Sequence, residues 1–207
     1  MRWTTIHWAI TRARAVERRR AFDERFLHVG LLEVIGAGRA AKPAPVAAAD
    51  DPGVVSAPVS GRVVSLDRVG DPVFAQGMLG AGVGIRPREA ADGPAVAFSP
   101  VSGTVMADVK TRHALLIRTD AGAEVLLHVG VDSVRLHGKG FRLFVGKGDQ
   151  VRAGDPLISF DRALLERSGL DDTVIVTVTN SESFSRVESA ADDALVSAGS
   201  AVLRTDR

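Results

Sequence analysis

Two histidines at the ends of one hairpin are the residues in this chain best placed to do chemistry together. The stretch from Thr111 to Val131 reads T-R-H-A-L-L-I-R-T-D-A-G-A-E-V-L-L-H-V-G-V, with β-prone runs at Ala114–Ile117 and Val125–Val129. Between them, Asp120-Ala121-Gly122 is the kind of cluster that closes an antiparallel pair. His113 stands at the outer end of the first run and His128, 15 residues later, at the outer end of the second. Antiparallel pairing returns those ends to one place. A two-residue loop at Asp120-Ala121 sets the histidines directly opposite on one face, whereas a three-residue loop with Gly122 left-handed shifts the pairing by one. The facing register is the expectation. A lone strand histidine is most often a satisfied, half-buried residue, but a pair offers more. Neutral imidazole has a free ring nitrogen near pH 7 and serves as a nucleophile or a metal ligand.

The elements that hold this pair belong to a mostly β chain. At 207 residues with 45% hydrophobic content, the sequence has room for one domain of about 150 residues and an extension. It contains no cysteine, which excludes disulfides, thiolate catalysis and cysteine-ligated metal. No apolar stretch approaches the roughly 20 residues that span a bilayer, and the N-terminus lacks the apolar core of a secretory signal. A cytoplasmic location is the expectation. The net charge of +1 is uneven: residues 1 to 28 carry seven arginines and three acids, leaving −3 on the remainder. That balance argues against nucleic acid as a partner, since phosphate binding needs a concentrated basic face.

Residues 1–53 read as a basic extension followed by an Ala/Pro-rich linker, and residues 54–207 as the domain. From Trp8 to Leu32 the arginine-rich sequence admits a solvated tail, a membrane-surface helix, or translated sequence upstream of a later start. Gly36 to Gly53 has almost no large apolar residue, so a mobile linker is expected there. From Val54 onward, short β-prone runs are punctuated by Gly, Pro and Asp, which makes an antiparallel β-sandwich or barrel with short helical turns. An internal echo supports related strand pairs: Ala57-Pro58-Val59-Ser60-Gly61-Arg62-Val63-Val64 recurs 42 residues later as Ser99-Pro100-Val101-Ser102-Gly103-Thr104-Val105-Met106. Gly148 and Gly154-Asp155 bracket a further short strand. Asp161 is expected to cap a helical turn with Leu164 and Leu165 facing inward, Thr173 to Thr179 to form a strand, and Ser197 to Arg204 the last strand.

Taken together, S-A-P-V-S-G-R-V-V-S-L, D-P-V-F-A-Q-G-M-L-G-A-G-V-G-I-R-P, S-P-V-S-G-T-V, T-R-H-A, L-L-H-V-G-V-D-S-V-R-L-H-G-K-G-F and G-D-Q-V-R-A-G-D-P-L resemble the glucose-family IIA component of the bacterial phosphoenolpyruvate-dependent sugar phosphotransferase system. The resemblance covers about Val54 to Leu203 and implies an antiparallel β-sandwich. It implies that His128 accepts a phosphoryl group from the phosphocarrier HPr and passes it to the IIB domain of a sugar permease. It gives His113 the role of contacting the phosphoryl group and Thr111 that of supporting His113. Asp71, Phe74 and Asp132 become the partner-binding rim, the aspartates receiving an arginine of the carrier.

Histidine suits a group that must both accept and donate phosphate, because its P–N bond is readily cleaved. A second imidazole can donate a hydrogen bond to the phosphoryl oxygens. Gly130 is expected to leave backbone accessible beside the acceptor. The plain alternatives are a turn aspartate at Asp71 before Pro72 and a core residue at Phe74. His7, His28 and His137 receive no role.

The transfer needs no cofactor. A transient zinc ion at His113 and His128, completed by a partner's carboxylate, is the one metal site the sequence allows. A zinc peptidase is disfavoured because catalytic zinc takes three protein ligands and no H-E-x-x-H is present. A biotinyl- or lipoyl-like binding module is disfavoured because Lys110 precedes the hairpin rather than occupying its turn, and fold analogy alone is a weak argument. Regulatory binding to other proteins by phosphorylation state is compatible with the relay.

Overall fold

The computed structural model describes residues 42–88 and 94–207. The arginine-rich stretch and the first part of the expected linker lie outside the described residues. The strands are β1 (Val54–Ser56), β2 (Gly61–Ser65), β3 (Ala81–Pro87), β4 (Ala95–Phe98), β5 (Gly103–Asp108), β6 (Ala114–Arg118), β7 (Glu124–Val129), β8 (Phe141–Leu143), β9 (Gln150–Val151), β10 (Pro156–Phe160), β11 (Val174–Val178), β12 (Arg186–Ser189), β13 (Leu195–Val196) and β14 (Ala201–Asp206). Two short α-helices join them, α1 (Pro72–Ala75) and α2 (Arg162–Arg167).

An eight-stranded sheet in the order β13-β2-β3-β11-β7-β6-β5-β9 packs with two three-stranded sheets, β1-β14-β12 and β4-β10-β8. The paired strands are antiparallel, and the fold is the expected antiparallel β-sandwich. One apolar core draws on all three sheets, with Leu203 from β14, Leu157, Ile158 and Phe160 from β10, and Leu115, Leu127 and Val176 from the large sheet.

The large sheet is apolar on both faces where it matters. Val174, Val176 and Val178 of β11, Val125, Leu127 and Val129 of β7, and Leu115 and Ile117 of β6 enter the core. Period-two alternation then puts Ile175, Leu126, Leu116 and His128 on the other face, and these too are buried. Each such aliphatic side chain contributes about 1.5–3 kcal/mol by leaving water. His128 pairs with Ala114 on one side and Ile175 on the other, so the histidine is set on an interior strand of the sheet.

The echo between residues 57–64 and 99–106 is a pseudo-two-fold arrangement. Ser56 N–H donates to Pro100 O at 2.8 Å and Phe98 N–H to Pro58 O at 2.8 Å, so the two copies cross-link each other. The hydroxyls of Ser60 and Ser102 accept from Ala198 N–H and Ala153 N–H, both at 2.9 Å. A further echo completes the pattern. Residues 148–154 add β9 to β5 as residues 193–199 add β13 to β2, with Gly148 and Asp193 both left-handed.

Some expectations are refined. The compact unit runs from Pro43 to Arg207, so its first residues fall within the stretch assigned to a mobile linker. Val46 N–H donates to Gly154 O at 3.0 Å, and Gly154 and Gly199 lie so close to Val46 O and Ala47 O that neither could carry a Cβ. Extended chain with small side chains is held here through its backbone. The last strand expected over 197–204 is β14, which begins only at Ala201: residues 197–200 form a turn after β13, with Gly199 at φ +87°. Asp161 caps α2 as expected, accepting from Leu164 N–H at 2.9 Å; Leu165 is in the core and Leu164 half-buried.

The echoed glycines generate a stability prediction. A Cβ at Gly103 would strike Arg118 O on the paired strand, so Gly103→Ala is expected to cost about 1–3 kcal/mol through overpacking. Gly70 has nothing within 4 Å of a Cβ, and Gly70→Ala should stay within about 0.5 kcal/mol of the parent. Urea unfolding of the two variants checks the contrast.

Candidate functional site

The hairpin closes with the three-residue loop. Thr119 N–H donates to Ala123 O at 2.9 Å, Gly122 N–H to Thr119 O at 2.9 Å, and Gly122 has φ +86°. The facing register is therefore corrected: His128 pairs with Ala114, and His113 lies opposite Val129, whose N–H donates to His113 O at 2.8 Å. A one-residue offset puts side chains of a regular ladder on opposite faces. His113 escapes this because it precedes β6 and follows Arg112, whose φ of +60° breaks the extended chain. The rings meet edge to face, with centroids 4.7 Å apart and planes at 84°.

The rings are walled in by aromatic side chains. Phe74 of α1 lies 5.1 Å from the His128 ring at 63°, and Phe141 of β8 6.4 Å from the His113 ring. Phe74 is only 1% exposed, which corrects its expected place on the docking rim: it packs against His128 and has no surface to offer a partner. Asp71 is half-buried and caps α1, its carboxylate accepting from Val73 N–H at 2.8 Å. Both plain readings, a turn aspartate and a core phenylalanine, thus describe part of what these residues do. Asp132 is exposed on a left-handed residue, φ 55°, with no capping hydrogen bond from its side chain.

Each histidine is 3% exposed. Burial pushes His113 down from 6.5 to about 4, opposed by a hydrogen bond with the Thr111 backbone. Burial, and then the neighbouring His113, holds His128 well below the ordinary imidazole range. Both rings are neutral at pH 7. Thr111 Oγ1 lies 2.8 Å from His113 Nδ1, so Nε2 is the free nitrogen of that ring. In His128, Nδ1 is sealed without a hydrogen-bond partner.

The turn after His128 is braced by residues that sequence reasoning did not single out. Ser133, buried, donates to Val129 O at 2.6 Å. Asp171 accepts from Thr173 N–H at 2.8 Å and from Thr173 Oγ1 at 2.6 Å. The backbone of that loop holds the turn, Gly130 N–H donating to Thr173 O at 3.0 Å and Val131 N–H to Asp171 O at 2.9 Å. Asp171, two residues before Thr173, is a recognisable Asx-turn signal. Gly130 is buried, with φ +76°. Its role is to permit the left-handed turn under Ser133 and Leu165 rather than to expose backbone.

His137 is exposed. Among the described residues no group of three or more His, Cys, Asp or Glu side chains converges to hold a metal, and no helix is long and apolar enough to cross a membrane.

Two neutral imidazoles thus meet edge to face in an aromatic-walled pocket of a β-sandwich. The sequence profile of the phosphoenolpyruvate-dependent sugar phosphotransferase system, EIIA 1, matches residues 53–184, and the chain belongs to this family. A glucose-specific EIIA component of Oceanobacillus iheyensis is 35% identical over 134 residues, 65% of this chain and 78% of that protein. A beta-glucoside-specific EIIBCA component of Dickeya chrysanthemi is 40% identical over 134 residues, of which this chain spans 20% of the length. The solved glucose permease IIA of Mycoplasma capricolum superposes with a TM-score of 0.61 at 34% identity, covering 72% of this chain and 93% of that one.

The buried pair predicts a pH dependence. Both folded-state pKa values lie below the unfolded value, so between pH 6.5 and about 4 the unfolded state binds more protons and stability falls as pH falls. Urea midpoints measured across that window should drop more steeply for the parent than for a His113→Gln/His128→Gln double variant. Equal slopes would contradict the burial argument.

Proposed function

We propose that His128 Nε2 takes a phosphoryl group from phospho-HPr and delivers it to the IIB domain of a membrane sugar permease, on the cytoplasmic side. The single observation that carries this reading is the orientation of the His128 ring, neutral, with Nδ1 sealed and Nε2 left for attack. The Nε2 electron pair forms the new P–N bond as the carrier's P–N bond breaks. Imidazole replaces imidazole, so little free energy is lost and the phosphoryl group stays ready for onward transfer.

In the tautomer in which His113 Nδ1 accepts from the Thr111 hydroxyl, 2.8 Å away, the ring carries its proton on Nε2 and donates it to a phosphoryl oxygen as charge spreads over the equatorial oxygens. Asp132, and the Asp71 carboxylate where the cap leaves it free, sit where a basic carrier would approach and would repel phosphate, which keeps the phosphohistidine from being held too tightly. The relay draws on no cofactor. A transient zinc ion at the two histidines would need a partner's carboxylate to complete it, and no step uses it. Regulatory binding to other proteins would use this same face, its strength set by the charge on His128.

Intact-mass measurement after incubation with phosphoenolpyruvate, the general phosphotransferase enzyme and HPr tests the relay. One acid-labile phosphoryl group is expected on the parent and on His113→Gln and none on His128→Gln, with His113→Gln failing in onward transfer. An unphosphorylated parent would sink the reading. Thr111→Ala removes one hydrogen bond that orients His113, worth roughly 1.4 kcal/mol, and should slow onward transfer about tenfold in rapid-quench assays.

A further inference from the structure

Arg112 stands where hairpin geometry favours glycine. The turn between β5 and β6 is closed by Arg112 N–H on Val109 O at 2.8 Å, and Arg112 itself is left-handed at φ +60°. The turn between β6 and β7 is closed by the same kind of bond, Gly122 N–H on Thr119 O at 2.9 Å, and there the left-handed residue is glycine, at φ +86°. Glycine adopts this conformation without strain, and asparagine tolerates it. A longer side chain carries a cost that persists only where something else requires the residue. The hairpin needs a left-handed residue between Thr111 and His113; it does not need an arginine.

The side chain does reach a partner. A guanidinium nitrogen of Arg112 donates to Phe141 O at 3.3 Å, spanning from a turn of the eight-stranded sheet to β8 of a three-stranded one. Its acceptor is a backbone carbonyl, and the ion pairs among the described residues involve Arg68, Arg118, Arg162 and Arg186 instead. The same two segments approach again at Gly138, where a Cβ would lie 3.5 Å from Thr111 O. Phe141 is buried, and its ring lies 6.4 Å from the His113 ring at 66°. One hydrogen bond therefore joins the residue before His113 to the residue whose ring walls His113.

We propose that Arg112 is a positioning residue of the phosphoryl relay, its guanidinium tying the turn that carries His113 to the strand that carries Phe141 and so fixing the His113 ring beside His128. This rests on the relay reading above. A planar guanidinium on a long stem reaches farther than asparagine and holds its donors in a fixed fork. Phosphoryl transfer depends on such placement, since a shift of about 1 Å can cost about 100-fold in rate. Arg112 acts through Phe141 and His113 and touches no reacting atom.

The test uses the full chain carrying Arg112→Gly or Arg112→Asn. Both residues suit the left-handed backbone and neither bridges to Phe141; asparagine controls for the added flexibility of glycine. In the free protein, the nuclear Overhauser contact between the His113 and Phe141 rings should be present in the parent and weakened in both variants. In rapid-quench assays both variants should still take one phosphoryl group from phospho-HPr, which also shows that they are folded. Delivery to a soluble IIB domain should fall about fivefold in kcat, with KM unchanged.

Parent-like ring contact in both variants, or parent-like delivery, would overturn the positioning role while leaving the relay intact. So would a loss in Arg112→Gly that Arg112→Asn does not share, which belongs to backbone flexibility. A loss carried by KM and abolished by salt belongs to partner docking and would overturn it too. A parent that takes no phosphoryl group at all would remove the relay and the positioning role together.

Discussion

Excluding water from two imidazoles is the constraint around which the rest of this structure is arranged. A histidine at the surface titrates near 6.5 and spends part of its time as a cation with no lone pair to offer. Pressed between Phe74, Phe141 and each other, His113 and His128 become costly to protonate, so both stay neutral at pH 7. The same burial lowers stability below pH 6.5 and leaves His128 Nδ1 without a partner, a cost of about 1–3 kcal/mol for a buried polar group. The core beneath offsets it. His128 rides on a strand whose alternate residues Val125, Leu127 and Val129 are fully buried, so the ring is carried by a strand anchored in the core.

Around this pair the chain uses local backbone exceptions to aim side chains. Arg112, Gly130 and Asp132 all have positive φ. The first lets His113 leave the ladder and turn toward His128. The others reverse the chain directly after His128, with Ser133 and the Asp171–Thr173 loop tying the reversal down. Non-glycine residues in this region cost about 1–3 kcal/mol each and persist where the surroundings over-determine them. Their concentration within a few residues of both histidines is what a site built for fixed geometry requires.

Much of this was legible in the sequence, and what was not has identifiable physical causes. The meeting of His113 and His128 follows from any antiparallel hairpin between them. The register does not, because Asp120-Ala121-Gly122 serves a two- or a three-residue loop and the left-handed Gly122 decides. The echo of Pro58-Val59-Ser60-Gly61 in Pro100-Val101-Ser102-Gly103 marks the pseudo-two-fold plainly. The partner echo is faint, since Gly148 and Asp193 share a conformation rather than a residue type. Phe74 looked like a surface contact because its burial depends on how α1 packs, a tertiary fact. Residues 43–48 looked mobile because they lack large apolar side chains, yet backbone contacts with the Gly154 turn order them.

The central claim is that burial leaves Nε2 of a neutral His128 as the reacting atom. It is tested most directly by nitrogen NMR of protein labelled at its histidine rings, before and after loading from phospho-HPr. The account predicts that His128 is neutral at pH 7 before loading and that afterwards a 15N–31P coupling appears on its Nε2. Coupling on Nδ1, on either nitrogen of His113, or on an imidazole that is protonated at pH 7 before loading would contradict it.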